Sequence, residues 1–172
     1  ALAERLAGDE AAFVERMNAK ARELGLAGTR FANAHGLPDP SQRSTARDLA
    51  QLTAHLLRDY PPSRTLLGGQ TFVFAGRVYA RHIPLFNDPG GVQALKTGFT
   101  NEAGYNLAVS AWRAGQQFVM IVLGARTRTL SFLDAKKLLH YGFLEAGLDP
   151  PAEVRASRPA PKKSIRARKS TV

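Results

Sequence analysis

Apolar residues change their period twice along this chain, and those two changes bound what it can fold into. From Asp9 to Gly25, Phe13, Met17, Ala21 and Leu24 recur at helical spacing, and Gly25 is a suitable stop. After Gly69 the period becomes two. Thr71-Phe72-Val73-Phe74 and Val78-Tyr79-Ala80 flank Ala75-Gly76-Arg77, the pattern of a hairpin. Gln93 to Thr97 is a short strand candidate. Tyr105 to Trp112 and Gln117 to Leu123 form a second hairpin around Arg113-Ala114-Gly115. From Leu130 to Gly142 the helical period returns, with Leu133, Lys137, Leu138 and Tyr141 placed to pack one side. Hairpins followed by a covering helix predict an α/β chain of the layered α+β kind, an antiparallel sheet flanked by helices.

Breakers organise the region before the hairpins. Gly28, Gly36, Pro38 and Pro40 make Leu26 to Arg43 irregular. Thr45 can cap a helix, and Asp48, three residues on, suits the positive end of its dipole. Arg47 is expected in an ion pair. Leu49, Leu52, Leu56 and Leu57 form the apolar face, and the helix should end before Pro61-Pro62.

Charge is uneven. The net charge is +10, and Arg155, Arg158, Lys162, Lys163, Arg166, Arg168 and Lys169, against Glu153 alone, put +6 of it after Pro150. That last stretch is rich in Pro, Ala, Ser, Lys and Arg and too poor in large apolar residues to fold alone. The expected division is a body over 1–149 and a basic, disordered tail over 150–172. With no cysteine, disulfides and zinc-thiolate sites are excluded. No apolar run approaches the roughly 18 residues of a membrane span. Ala1-Leu2-Ala3-Glu4-Arg5 is neither a signal peptide nor a translation start, so the chain is expected to begin inside a longer precursor or to have been processed.

The sharpest local feature is Lys96-Thr97-Gly98, on a strand and followed by Phe99-Thr100. A Lys ammonium at a cleft edge gives positive potential for a substrate carboxylate, and a neighbouring Thr hydroxyl can donate to it. Gly lets a ligand lie along the strand. The amide of the next residue can face a developing oxyanion.

The surroundings carry a resemblance. Phe31-Ala32-Asn33-Ala34-His35-Gly36-Leu37-Pro38-Asp39-Pro40, Ser44-Thr45-Ala46-Arg47-Asp48-Leu49-Ala50, and Ala94-Leu95 through Lys96-Thr97-Gly98 to Tyr105-Asn106-Leu107 stand in order. Val122-Leu123-Gly124-Ala125 and Leu138-Leu139-His140-Tyr141-Gly142-Phe143 follow. Together they resemble the serine D-alanyl-D-alanine carboxypeptidases, low-molecular-weight penicillin-binding proteins of peptidase family S11. Lys-Thr-Gly is one of three short motifs of serine penicillin-binding proteins and β-lactamases. The resemblance implies a partial β-lactamase-like, penicillin-binding fold. It also implies a substrate, the D-Ala-D-Ala terminus of a peptidoglycan pentapeptide stem, cleaved through an acyl-enzyme, with β-lactams as inhibitors of the full-length parent. Lys96, Thr97 and Gly98 would bind substrate, with Lys96 also catalytic. The Phe99 N–H would be one oxyanion donor. No cofactor and no metal is implied. The implied location is the periplasm or cell envelope.

Two family motifs are not in this chain. No serine from Ser41 to Ser170 has Lys three residues later or Asn two residues later, so neither Ser-x-x-Lys nor Ser-x-Asn is present. Ala1 to Gly8 resembles the helix that begins just after Ser-x-Asn. The chain as given should therefore be inactive, with an exposed apolar sheet face and an unpaired edge. Smaller departures exist: Ala94 stands where members often have Gly, and both Arg126 and Arg128 are candidates for the family's basic residue near the cleft. The basic tail stands where larger members continue into a β-rich domain and an amphipathic membrane helix.

Other readings stay open. His35, His55, His82 and His140 show no metal-ligand spacing and are read as loop or surface residues. Tyr105 and Trp112 are read as packing residues and Asn106 as a strand-start hydrogen bonder. The tail could meet an anionic envelope polymer or lipid. A nucleic-acid role has only charge behind it, since no helix-turn-helix, zinc or aromatic-interleaved basic motif is present. A non-catalytic envelope protein that binds peptide stems or another wall enzyme is the main alternative.

Overall fold

In the computed structural model, residues 1–148 are described. The proposed boundary near 149 and the basic tail lie outside them. The helices are α1 (Leu2–Ala7), α2 (Glu10–Glu23), α3 (Ala46–Asp59), α4 (Pro62–Gly68) and α5 (Arg128–Glu145). The strands are β1 (Thr71–Phe74), β2 (Arg77–Ala80), β3 (Val92–Thr100), β4 (Gly104–Arg113) and β5 (Gln116–Ala125), with a 3₁₀ turn at Pro84–Asn87. β3, β4 and β5 form one antiparallel sheet in that order, and β1 and β2 form a separate hairpin.

Caps start the helices where the sequence places them. The Thr45 hydroxyl accepts from the Asp48 N–H at 3.1 Å, and the Thr127 hydroxyl accepts from Leu130 N–H at 3.1 Å. α4 was not expected; Pro at its first turn opens it.

Alternation sorts the sheet into two faces. Leu95, Val109 and Met120 lie on one, and Phe132, Ala135, Leu139 and Phe143 of α5 bury against it. α3 packs on β4 and β5 from the other side. The result is the expected layered arrangement of helix, antiparallel sheet and helix.

Several expectations are corrected. On α5, Leu133, Leu138 and Tyr141 are 48%, 42% and 61% exposed, and Lys137 is exposed too. The residues that pack are one step round the helix. Apolar side chains ring α5, so spacing alone could not select the face. On α3, Leu57 is buried but Leu56 is exposed. Arg47 is exposed and has no ion pair among the described residues. Both hairpin turns are two residues long, with positive φ at Ala75 (48°), Gly76 (73°), Ala114 (49°) and Gly115 (77°). Such turns match strand twist, so Arg77 and Arg113 belong to strands.

An exposed apolar sheet face is not what the fold shows: α3 and α5 pack on the three-stranded sheet, and the exposed apolar side chains lie mostly elsewhere. Leu130, Leu133, Leu138, Tyr141 and Leu144 are exposed on α5, and Phe72, Val73, Phe74 and Val78 on the hairpin. The hairpin packs on no other element of the described residues. The outer edges of β3 and β5 have no neighbouring strand there either.

Candidate functional site

The candidate site is the free edge of β3. Leu95 is 1% exposed and anchors the strand in the core, whereas Lys96, Thr97, Gly98 and Phe99 are exposed. β3 therefore runs from a fixed root to an accessible end. It is longer than the expected Gln93–Thr97, reaching Thr100.

Register fixes which groups face outward. The Leu95 carbonyl accepts from the Arg81 guanidinium at 3.1 Å, on the side away from β4. Alternate residues of a strand direct their backbone groups to the same side. Thr97 and Phe99 thus present N–H and C=O along the open edge, while Lys96 and Gly98 bond inward, opposite Ala108 and Asn106. Side chains alternate too, so Thr97 and Phe99 share a face with Leu95, and Lys96 projects on the other. The Lys96 ammonium donates to the Thr97 carbonyl.

The rigid end of the edge comes from the β3–β4 turn. Asn106 donates to the Gly104 carbonyl at 3.0 Å and accepts from the Gly124 N–H at 2.9 Å, tying the turn to the end of β5. Tyr105 packs on Phe99 with ring centroids 4.3 Å apart. Thr97, Gly98 and Phe99 line a cavity of about 270 Å³ with Arg128, Ser131 and Phe132. A Cβ at Gly98 would meet only the Asn106 Cβ, at 3.9 Å, so the position is open to a ligand's approach.

The two candidate arginines separate. Arg128 donates to the His82 carbonyl at 3.2 Å and stacks on Phe132, 5.6 Å from its centroid. Arg126 has no hydrogen bond or ion pair among the described residues and lines a second cavity with Phe99, Glu102 and Tyr105. Trp112 lies away from this edge, under the Arg64 guanidinium at 4.9 Å. Arg81 drew no attention in the sequence, because nothing local marks it; its partners lie 14 residues away on either side. Among the described residues no group of three or more His, Asp or Glu could hold a metal ion, and no helix is long and apolar enough to cross a membrane.

What the arrangement can do is bind an extended, anionic chain end. The open edge can pair with an extended backbone, and the exposed Thr97 hydroxyl and the outward Phe99 N–H are donors available there. A family model described as D-alanyl-D-alanine carboxypeptidase matches residues 1–127. The D-alanyl-D-alanine carboxypeptidase DacC of Escherichia coli is 40% identical over 144 residues, which cover 83% of this chain and 36% of that protein. Penicillin binding protein 5 from Haemophilus influenzae superposes with a TM-score of 0.77 at 37% identity, over 83% of this chain and 42% of that one. Penicillin-binding protein D2 from Listeria monocytogenes, in its cefotaxime-bound form, gives 0.75 at 36% identity, over 83% and 58%. The chain thus spans little more than a third of the length of this curated relative.

Proposed function

The chain belongs to the D-alanyl-D-alanine carboxypeptidase family, peptidase family S11, and from that premise we propose that the full-length protein removes the terminal D-Ala from peptidoglycan pentapeptide stems in the cell envelope. The observation that carries this reading is the exposed β3 edge, with Lys96, Thr97 and an outward Phe99 N–H in consecutive reach.

In this reading a Ser-x-x-Lys serine, in polypeptide outside this chain, attacks the penultimate D-Ala carbonyl. Its hydroxyl proton passes to a base, and the C–N bond breaks as the leaving D-Ala amine takes a proton. An ester remains on the serine, and water hydrolyses it to release the shortened stem and regenerate the hydroxyl. The Phe99 N–H donates to the oxygen that becomes negative in each tetrahedral intermediate. Lys96 supplies positive potential, and the Thr97 hydroxyl donates to the terminal carboxylate. Arg126, with its guanidinium unengaged among the described residues, is the candidate second cation. A β-lactam enters the same edge as a substrate analogue and stays as an acyl-enzyme. The 172-residue chain by itself carries no such serine and is inactive. The charge of 151–172 suits an anionic envelope polymer or lipid headgroup.

Fluorescent penicillin tests this. Covalent label on the full-length product, competed by unlabelled β-lactam and absent from residues 1–172 alone, is expected. A full-length frame holding Ser-x-x-Lys and Ser-x-Asn that takes no label would overturn the reading. The second reading, a non-catalytic binder of peptide stems, draws on the missing serine motifs. It fails if the native mature protein, by mass spectrometry, is much longer than this chain.

A further inference from the structure

We propose that Arg81 is a positioning residue that sets where a peptide can register on the β3 edge; the proposal rests on the reading of that edge as the substrate ledge. Arg81 sits between β2 and the 3₁₀ turn. Its backbone N–H donates to the Gln70 carbonyl at 2.7 Å, closing the root of the hairpin. One terminal nitrogen donates to the Leu95 carbonyl at 3.1 Å, and the other to the Leu67 carbonyl near the end of α4. The guanidinium carbon lies 5.2 Å from the Phe86 ring centroid. One fork therefore joins α4, the 3₁₀ turn and β3. Its Nε–H is buried without a partner among the described residues.

The consequence follows from strand geometry. An edge strand offers its backbone to a ligand at every second residue. Before the ledge, those positions are closed. At Gln93 the backbone of α4 abuts the strand, since a Cβ on Gly68 would lie 2.2 Å from the Gln93 carbonyl oxygen. At Leu95 the guanidinium takes the carbonyl, as a neighbouring strand would. Pairing can begin only at Thr97, where the Lys96 ammonium that bonds the carbonyl is on an exposed side chain and can be displaced. Without Arg81 the Leu95 carbonyl becomes an acceptor, and a peptide can pair one frame back. Its carbonyl then sits about 7 Å from the Phe99 N–H, two residues along at about 3.3 Å each. A peptide in that frame binds but does not react.

Non-productive binding has a kinetic signature that weakened folding lacks. The wrong frame competes with the right one, so kcat and KM fall together and kcat/KM stays nearly constant. The experiment uses the full-length protein, a D-Ala-D-Ala peptide, and active sites titrated with penicillin. For Arg81→Met, kcat and KM should both fall about tenfold, with kcat/KM within threefold of wild type. Arg81→Lys, with one donor for the Leu95 carbonyl, should recover part of both. Leu139→Ala, a core change on α5, is the destabilised control and should leave kcat and KM per titrated site unchanged. The inference is overturned if wild type is active and both Arg81 variants match it, or if kcat/KM drops while KM holds or rises. If Arg81→Met does not fold, Arg81→Lys decides by the same two outcomes. A wild-type protein inactive on the peptide instead sinks the carboxypeptidase reading, and the registration role with it.

Discussion

The Asp48 carboxylate accepts the Thr29 hydroxyl at 2.6 Å, and so ties the loop after α2 to the first turn of α3. The same oxygen takes the Gly28 N–H at 2.9 Å. Asp48 is buried at 5% exposure, and it sits at a helix start where its charge is favourable. Its place in the first turn of α3 points only to the dipole; the loop anchor needs residues 20 apart in the chain.

The Thr29 hydroxyl, foremost, with Thr45, the Gly28 N–H and the Arg47 charge, holds the Asp48 carboxyl below its ordinary pKa against the opposing effect of burial. The stabilisation is complete above the unfolded value, about 3.9, and is lost as pH falls through the folded one. The stability gap between wild type and Asp48→Asn should therefore shrink as pH drops below about 4. Urea melts from pH 7 to pH 3 measure it, and a gap constant over that range contradicts the assignment.

Lys96 and Thr97 should separate in kinetics. In the full-length protein Lys96→Ala should slow β-lactam acylation about 100-fold or more, the usual cost of one electrostatic contact made in the transition state. Thr97→Ala loses one hydrogen bond to a charged group, about 1.5–3 kcal/mol, and should lower kcat/KM for a peptide ending in a free carboxylate. A substrate amidated at that end should feel the Thr97 change far less. Equal losses on both substrates would remove the carboxylate contact.

Gly91 is irreplaceable on two counts. Its φ is +74°, and a Cβ there would lie 2.5 Å from the Trp112 carbonyl oxygen, while its own carbonyl takes the Trp112 N–H at 3.0 Å. Gly91→Ala should cost about 2 kcal/mol or more, through left-handed strain and the clash together. Amide exchange at Trp112 should rise with it. An unchanged melting temperature would mean that the turn before β3 is looser than described.

Phe143 reports which side of α5 is packed. It is 1% exposed, edge-on to Phe118 at 4.9 Å, with the Arg113 guanidinium 4.8 Å from its ring. Phe143→Ala should destabilise by about 3–5 kcal/mol. Tyr141→Ala, at an exposed position in the chain of residues 1–172, should change the stability of that chain by less than about 0.5 kcal/mol. Comparable losses would reverse the assignment of faces.

The period changes, the capping threonines, both hairpins and the order of motifs around Lys96-Thr97-Gly98 are legible along the chain, because each is written in residues a few positions apart. Tertiary structure alone decided which side of α5 is buried, that α4 and the Arg81 fork close the strand before Thr97, and that Arg128 rather than Arg126 is engaged. Those outcomes depend on how distant segments fill one another's surfaces and satisfy one another's carbonyls. A stripe ringed with leucine on every side, or an arginine with no local pattern, holds no record of that choice until the chain has folded around it.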